Sequence, residues 1–348
     1  MQLPFLKLHE LINSPEKIDK TSDFELLGEG ECPPVLIYGQ DLGLKLLQSK
    51  DTLQIIFLEQ FQAIANQISS APISLDAHRA YFKNTPLFLS GEEHIQSRNL
   101  IGGFYKKIEL TIDAWLPVFT KNFLGDYKNK ALINPIDLCK DYVHGVIKKI
   151  IATHLSISPS EISDFPESIL NITPNIETIK VSEEKLKNLI ILFQNKLNLL
   201  NKDPKETWPL ASIIVMGTET ISTALMFGLS EQGKWKDTRA LIKKSSPVSL
   251  VFREASRDIA IGNINFKKGQ HIYIALNLMN EIKKEDSLKE SNQYFSFGKA
   301  AHMCPGQKLS LSIISIFFHE WVNLGLDQKK LVKIKFRRDI VLKPAIQS

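Results

Sequence analysis

The chain has 348 residues, 43% of them hydrophobic and 23% charged, enough to bury a sizeable core and too apolar for a disordered majority. Its net charge of +5 is spread along the chain without a basic tail or block, so nucleic acid is not an expected partner. Three scattered cysteines, Cys32, Cys139 and Cys304, argue against a disulfide framework and suit a reducing, cytoplasmic setting.

The first twenty residues lack a basic segment followed by an apolar one, so no signal peptide is expected. Val35 to Tyr38 reads as a short strand, and Asp41 as the cap of a helix carrying Leu42, Leu44, Leu46 and Leu47. From about residue 90 helices dominate. Asn134 as N-cap and Pro135 at the first helical position open a helix with one apolar face, Ile136 to Ile151. Ser182 is expected to cap the next helix. The apolar run 210–229 is interrupted by Glu219 and three threonines, which predicts a core helix and no membrane anchor. Residues 247–276 switch to period-two alternation with turns at Gly262 and Gly269, which predicts sheet. A helix over about 306–323 and a strand-like tail complete the chain. The expectation is a mainly α protein with a small β portion near 30–40 and 247–276, forming a single domain over 1–348.

Near the C-terminus, "YFSFGKAAHMCPGQ" sets Cys304 just before a helical run, seven positions after Phe297. A lone cysteine there is ordinary packing. A thiolate at that place needs a cation to hold it deprotonated, an apolar neighbour to exclude water and backbone amides aimed at the sulfur. Phe297, Gly298, Pro305 and Gly306 could supply the last two, with Pro305 fitting the first turn of the helix. In the apolar helix, "MGTETIS" places Gly217, Glu219 and Thr220 together, 84 residues before Cys304 when counted from Thr220. A mid-helix threonine often only bonds back to the preceding turn, but a buried glutamate is costly unless it is paired or used. Upstream, "SGEEHIQSRNL" sets His94 and Arg98 four apart on one helical face.

Together these stretches resemble the cytochrome P450 family over about residues 35–325, with the chain shortened between the distal helix and the pocket strand: only 25 residues separate Glu219 from Ser245. The resemblance implies haem b (iron protoporphyrin IX) with Cys304 as the iron ligand. Phe297 and Gly306 would shape the ligand loop, and His94, Arg98, Arg253 and His302 would hold the propionates. Gly217 would leave room for dioxygen, and Thr220 with Glu219 would deliver protons. It also implies a monooxygenase acting on a lipophilic small molecule, with Leu87, Phe88, Leu89, Ile213, Met216, Leu250 and Val251 as pocket walls. Electrons would come from NAD(P)H through a reductase and a ferredoxin or flavodoxin. Separately, Lys299 and Lys308 flanking the cysteine and Lys106 and Lys107 after the His94 helix are expected to form a basic face for an acidic donor. A non-catalytic or peroxide-using haem-thiolate protein is the alternative.

Three departures stand out. The family's second loop glycine is Ala300, strained if that position needs a positive φ. Met216 replaces a small residue beside Gly217. The Glu-x-x-Arg pair that braces the cysteine loop in the family falls on Ala240 and Lys243, with Lys289 at the completing arginine; Glu254 and Arg257 match the spacing but are expected at the surface. Lysine lacks arginine's bidentate fork, so the brace reads as degenerate.

Overall fold

The computed structural model describes residues 3–54, 74–162, 166, 176–231, 237–282, 294–339 and 341–346. In chain order the main elements are helix α1 (Leu3–Asn13), strands β1 (Phe24–Leu26) and β2 (Val35–Ile37), helix α2 (Gln40–Gln48) and strand β3 (Thr52–Gln54). Five more helices follow, α3 (Asp76–Asn84), α4 (Gly91–Gly125), α5 (Pro135–Leu155), α6 (Ile176–Leu199) and α7 (Thr207–Ser212). A π-helical turn, Ile213–Gly217, leads into α8 (Thr218–Ser230), and α9 spans Thr238–Ser245. Then come β4 (Leu250–Ala255), β5 (Ile259–Ile261), β6 (Ile264–Phe266), β7 (His271–Ala275), α10 (Leu276–Glu281), α11 (Gln307–Asn323), β8 (Ile334–Arg338) and β9 (Leu342–Ile346).

These elements fall into two compact units, each discontinuous in sequence. The first takes Met1–Ile55, Arg239–Cys304 and Phe336–Ala345; the second takes Ile56–Thr238, Pro305–Lys335 and Ile346–Ser348.

The first unit is built on a five-stranded sheet of order β1-β2-β7-β4-β3, in which only β2 and β7 run parallel. Val35 pairs with Ile272 and Ile37 with Ile274, and all four are buried. Leu42, Leu46 and Leu47 on one face of α2 and Phe295 pack into the same apolar cluster, as the 3.6-residue period requires. The expected strand over Val35–Tyr38 and the sheet over 247–276, with positive φ at Gly262 and Gly269, are both present. The cap of α2 is Gly39, and Asp41 sits inside the first turn without bonding the backbone. There its charge still complements the helix dipole.

The second unit is helical. Asn134 accepts from the Ile136 amide and Pro135 opens α5, as expected from the sequence. Tyr142 on α5 is fully buried against Phe317 of α11, with ring centroids 4.9 Å apart, and its hydroxyl lies 2.8 Å from Thr120 Oγ1 of α4. The helix expected to begin at Ser182 extends back to Ile176, and Ser182 is buried within it. The run from Pro204 to Ser230 is long and apolar enough to cross a membrane by length and composition, but 72% of its most apolar stretch is buried inside the protein.

Candidate functional site

The cysteine loop is a hydrogen-bonded turn within the first unit. Gly298 N donates to Phe295 O at 2.8 Å, Met303 N to Ala300 O at 3.1 Å, and Cys304 N to Phe297 O at 2.7 Å. The last bond folds the chain back so that Cys304 lies beside the backbone of Phe297. Gly298 has φ of +68°, and a Cβ there would meet His302 O at 3.2 Å, so both conformation and space select glycine. Ala300 has φ of +53°, the left-handed conformation in which its methyl is strained. His302 closes a short 3-10 turn, Ala300–His302, and is half-buried; so are Phe297 and Cys304. Phe297 stands edge-on to Tyr294 at 6.0 Å.

Arg253 lies in β4 of the same unit and is 1% exposed. Among the described residues its Nε and Nη2 are buried without a hydrogen-bond partner, and burial pulls its guanidinium down to about 10. A buried cation without a counter-charge is costly, so this position suits an anionic ligand group. Strand alternation puts the half-buried Val251 on the face of Arg253 and the buried Leu250 on the opposite face. Glu254 is half-buried, and the exposed Arg257 pairs with Asp51 at 3.0 Å. That agrees with a surface role for both and not with a brace. Ala240 on α9 is exposed and Lys243 half-buried, while Lys289 lies outside the described residues.

In the second unit, His94 and Arg98 sit one turn apart in the first third of α4, His94 buried and Arg98 half-buried. The apolar helix expected over 210–229 is present but opens locally just before and at Gly217. Ile213, Met216 and Gly217 form part of the π-turn, a local opening of the helix of the kind that accompanies functional sites. Among the described residues, a Cβ on Gly217 would meet just Ile213 Cγ1, at 3.8 Å, so there is room at this turn. Thr220 Oγ1 donates to Met216 O at 2.7 Å, and the half-buried Glu219 is its neighbour. Leu87, Phe88 and Leu89 form or follow a 3-10 turn, Pro86–Phe88, all half-buried, with Phe88 edge-on to Phe82 at 4.7 Å.

Helix α11 begins after Gly306, its N-cap, so Pro305 stands outside the first turn it was expected to occupy. A Cβ on Gly306 would come within 3.0 Å of the Tyr105 ring. Tyr105 had no sequence signal, because only a close approach between α4 and α11 reveals it. Of the lysines, Lys106 and Lys107 are exposed, Lys308 pairs with Glu109 at 3.0 Å, and Lys299 lies 5.7 Å from the Phe295 ring centroid.

Searches of protein-family models and of curated proteins found no match to the chain. Solved structures do match. The chain is similar to P450BioI in complex with hexadec-9Z-enoic acid ligated acyl carrier protein, at 13% identity, TM-score 0.72 and 98% coverage of both chains. It is similar to P450 RauA complexed with a biosynthetic intermediate of aurachin RE, at 14% identity and TM-score 0.69, covering 96% of this chain and 94% of that one. It is also similar to the Bacillus subtilis 168 bacillaene polyketide synthase cytochrome P450 PksS, at 16% identity and TM-score 0.66, covering 99% and 95%. The fold is therefore mainly α and cytochrome P450-like.

Proposed function

We propose that the chain, over its whole length 1–348, is a haem-thiolate monooxygenase that inserts one oxygen atom of O2 into a lipophilic small molecule. The observation that carries this is Arg253, a fully buried guanidinium whose Nε and Nη2 lack a partner among the described residues, in the unit that holds the Cys304 turn. The fork of an arginine matches a carboxylate with two parallel hydrogen bonds, and a haem propionate is such a carboxylate.

Haem b, when bound, supplies the redox-active iron at which dioxygen is activated. Cys304 would hold the iron through its sulfur, on a loop already closed by its own backbone. Phe297 shields that sulfur from water. Arg253 and His302, and from the resemblance His94 and Arg98, would hold the propionates, which would give Arg253 a counter-charge. Thr220 and Glu219 hold and pass protons, which requires the Thr220 hydroxyl to turn from Met216 O toward the reacting group. Gly217 keeps space open beside it. Ile213, Met216, Leu87, Phe88, Leu89, Leu250 and Val251 favour a fatty or terpenoid substrate, and the similar P450BioI is one with a fatty-acyl ligand in its complex. No segment of the chain carries a flavin or iron–sulfur motif, so electrons come from a ferredoxin or flavodoxin and its NAD(P)H-dependent reductase. The site of action is the cytoplasm.

The test is to load the protein with haem, reduce it and add CO. The red-shifted Soret band of thiolate ligation is expected, absent in Cys304→Ala; identical spectra for the two proteins would overturn the ligation. With surrogate partners, oxygen uptake should then depend on a compound that shifts the spin state. The exposed Ala240 and the lysine at 243 favour a second reading, a haem-thiolate protein that uses peroxide or does not turn over. Product formed with hydrogen peroxide alone, or no turnover at all, would select it.

A further inference from the structure

In the family the chain resembles, a carboxylate–guanidinium pair on the helix before the sheet holds the cysteine loop, and the matching positions on α9 carry Ala240 and Lys243. A different buried cluster occupies the first unit. Asn280, at the end of α10, is 6% exposed. Its Nδ2 donates to Ser246 Oγ at 2.7 Å and to Ser296 Oγ at 2.9 Å, and its Oδ1 accepts from Phe295 N at 2.9 Å. Each serine passes its own proton back to α9: Ser296 Oγ donates to Ile242 O at 3.0 Å, and Ser246 Oγ to Lys243 O at 3.0 Å.

The donor and acceptor directions are mutually consistent. Both amide hydrogens and the amide oxygen of Asn280 are used, each hydroxyl accepts from the amide and donates to a carbonyl, and the two serine oxygens lie 3.4 Å apart. Flipping the amide would set its NH2 against the Phe295 N–H, donor against donor, so that backbone N–H fixes the orientation of the amide. A second layer backs it. Arg338 of β8 donates from Nη1 to Ser245 O at 3.0 Å and from Nη2 to Glu281 Oε1 at 3.0 Å, next in the chain to Asn280.

The cluster grips the start of the cysteine loop. Phe295 and Ser296, tied by Asn280, precede Phe297, whose carbonyl accepts from Cys304 N, and Phe295 O accepts from Gly298 N. A shift of Ser296 is therefore passed to Cys304 through two short turns.

We infer that Asn280, with Ser246 and Ser296 and backed by Arg338, is the brace that positions the Cys304 loop in this protein, a neutral amide–hydroxyl cluster standing where an ion pair would serve. Its bearing on ligation rests on the reading of Cys304 as the haem ligand; its bearing on the loop does not. Asn280 is a positioning residue, and Asn280→Asp separates its parts: the variant keeps the acceptor for Phe295 N and loses both donors. Ser296→Ala removes one link, Ser296→Thr restores a hydroxyl, and Arg257→Ala, which breaks a surface pair in the same unit, is the control.

Two readouts on the full chain test this. In the haem-loaded ferrous–CO protein, Asn280→Asp and Ser296→Ala should lower the fraction of thiolate-type Soret band at least threefold at unchanged haem content, with Ser296→Thr and Arg257→Ala near wild type. In the haem-free protein, hydrogen exchange of the peptide 294–304 should rise about tenfold in the same two variants. Thiolate fraction and exchange both at wild-type levels in Asn280→Asp and Ser296→Ala would overturn the brace. Faster exchange in a wild-type background that never shows a thiolate band would instead sink the ligand reading and leave the brace standing. Should Asn280→Asp fail to fold, Ser296→Ala against Ser296→Thr decides by the same measurements.

Discussion

Arg253 carries a charge that the haem-free protein has to keep dry. At neutral pH its depressed pKa of about 10 means that the charged form is disfavoured by folding, a penalty present at every pH below that value and relieved only as pH rises toward the ordinary guanidinium range. Arg253→Met should therefore raise the stability of the haem-free protein, by about 1–3 kcal/mol, while weakening haem binding about tenfold or more, which corresponds to 1.4 kcal/mol or more. Thermal unfolding and haem titration of the same variant check the two opposite signs. Ala300 presents a smaller case. Its φ of +53° costs on the order of 0.5–1 kcal/mol that glycine avoids, so Ala300→Gly should stabilise the fold by about that amount in denaturant unfolding. Both residues were legible in the sequence for different reasons: Ala300 by the glycine it displaces, and Arg253 by its place in a strand two residues after a pocket position. Arg253's missing partner was not, because burial is a property of packing.

Helix α3 has Leu75 at its N-cap, which offers no capping side chain, and Ser74 Oγ accepts only from Asp76 N at 3.3 Å. Glu183 from α6 does that work, accepting from Ala77 N at 2.6 Å and His78 N at 3.1 Å and bonding the His78 ring. Burial pushes the Glu183 carboxyl up, but the bonds from the His78 ring and the two amides outweigh it, and the net pKa falls below the ordinary 4.5. A lowered carboxylate stabilises the fold above about pH 4.5, and that contribution is lost as pH falls through the folded value. Glu183→Gln should cost about 1–2 kcal/mol at neutral pH and flatten the loss of stability on acidification, followed by urea unfolding at pH 7 and pH 4. The sequence showed α6 as a strong helix but misplaced its start, because Ser182 is a good cap by type and only tertiary packing makes it interior. The offset at Pro305 has the same origin. Residue type sets what can begin a helix, and the neighbours set where it does.

For the whole molecule, the composition and the periodicities gave the mainly helical class, and the sheet region 247–276 was visible as alternation with glycine turns. The pairing of β2 with β7 was not, since it joins Val35 to Ile272 across most of the chain, and no local pattern carries so distant a contact. The Asn280 cluster was likewise invisible to spacing, and of the π-turn only the helix-opening glycine, Gly217, could be read. The candidate site was legible chiefly as a set of motifs, Cys304 with Phe297, Gly217 to Thr220, and His94 with Arg98, whose meaning came from their joint resemblance. If haem binds only the folded chain, its addition should stabilise the protein by about 2.7 kcal/mol at a free concentration one hundred times its Kd, and the melting temperature should climb with haem concentration. Cys304→Ala should keep part of that rise, since the propionate ligands remain, and a melting temperature indifferent to haem would contradict the proposed cofactor.

The π-turn at Ile213–Gly217 has a geometric effect on everything after it. One additional residue per turn advances a helix by about 100°, so Glu219, Thr220 and the rest of α8 are phased differently from Leu210 and Ala211 than an uninterrupted helix would set them. The direction in which the acid–alcohol pair points is thus encoded upstream of it, in the number of residues and not in their identity. Deleting Val215 would keep every proposed site residue in the chain yet turn the Glu219–Thr220 pair by about a quarter of a circle.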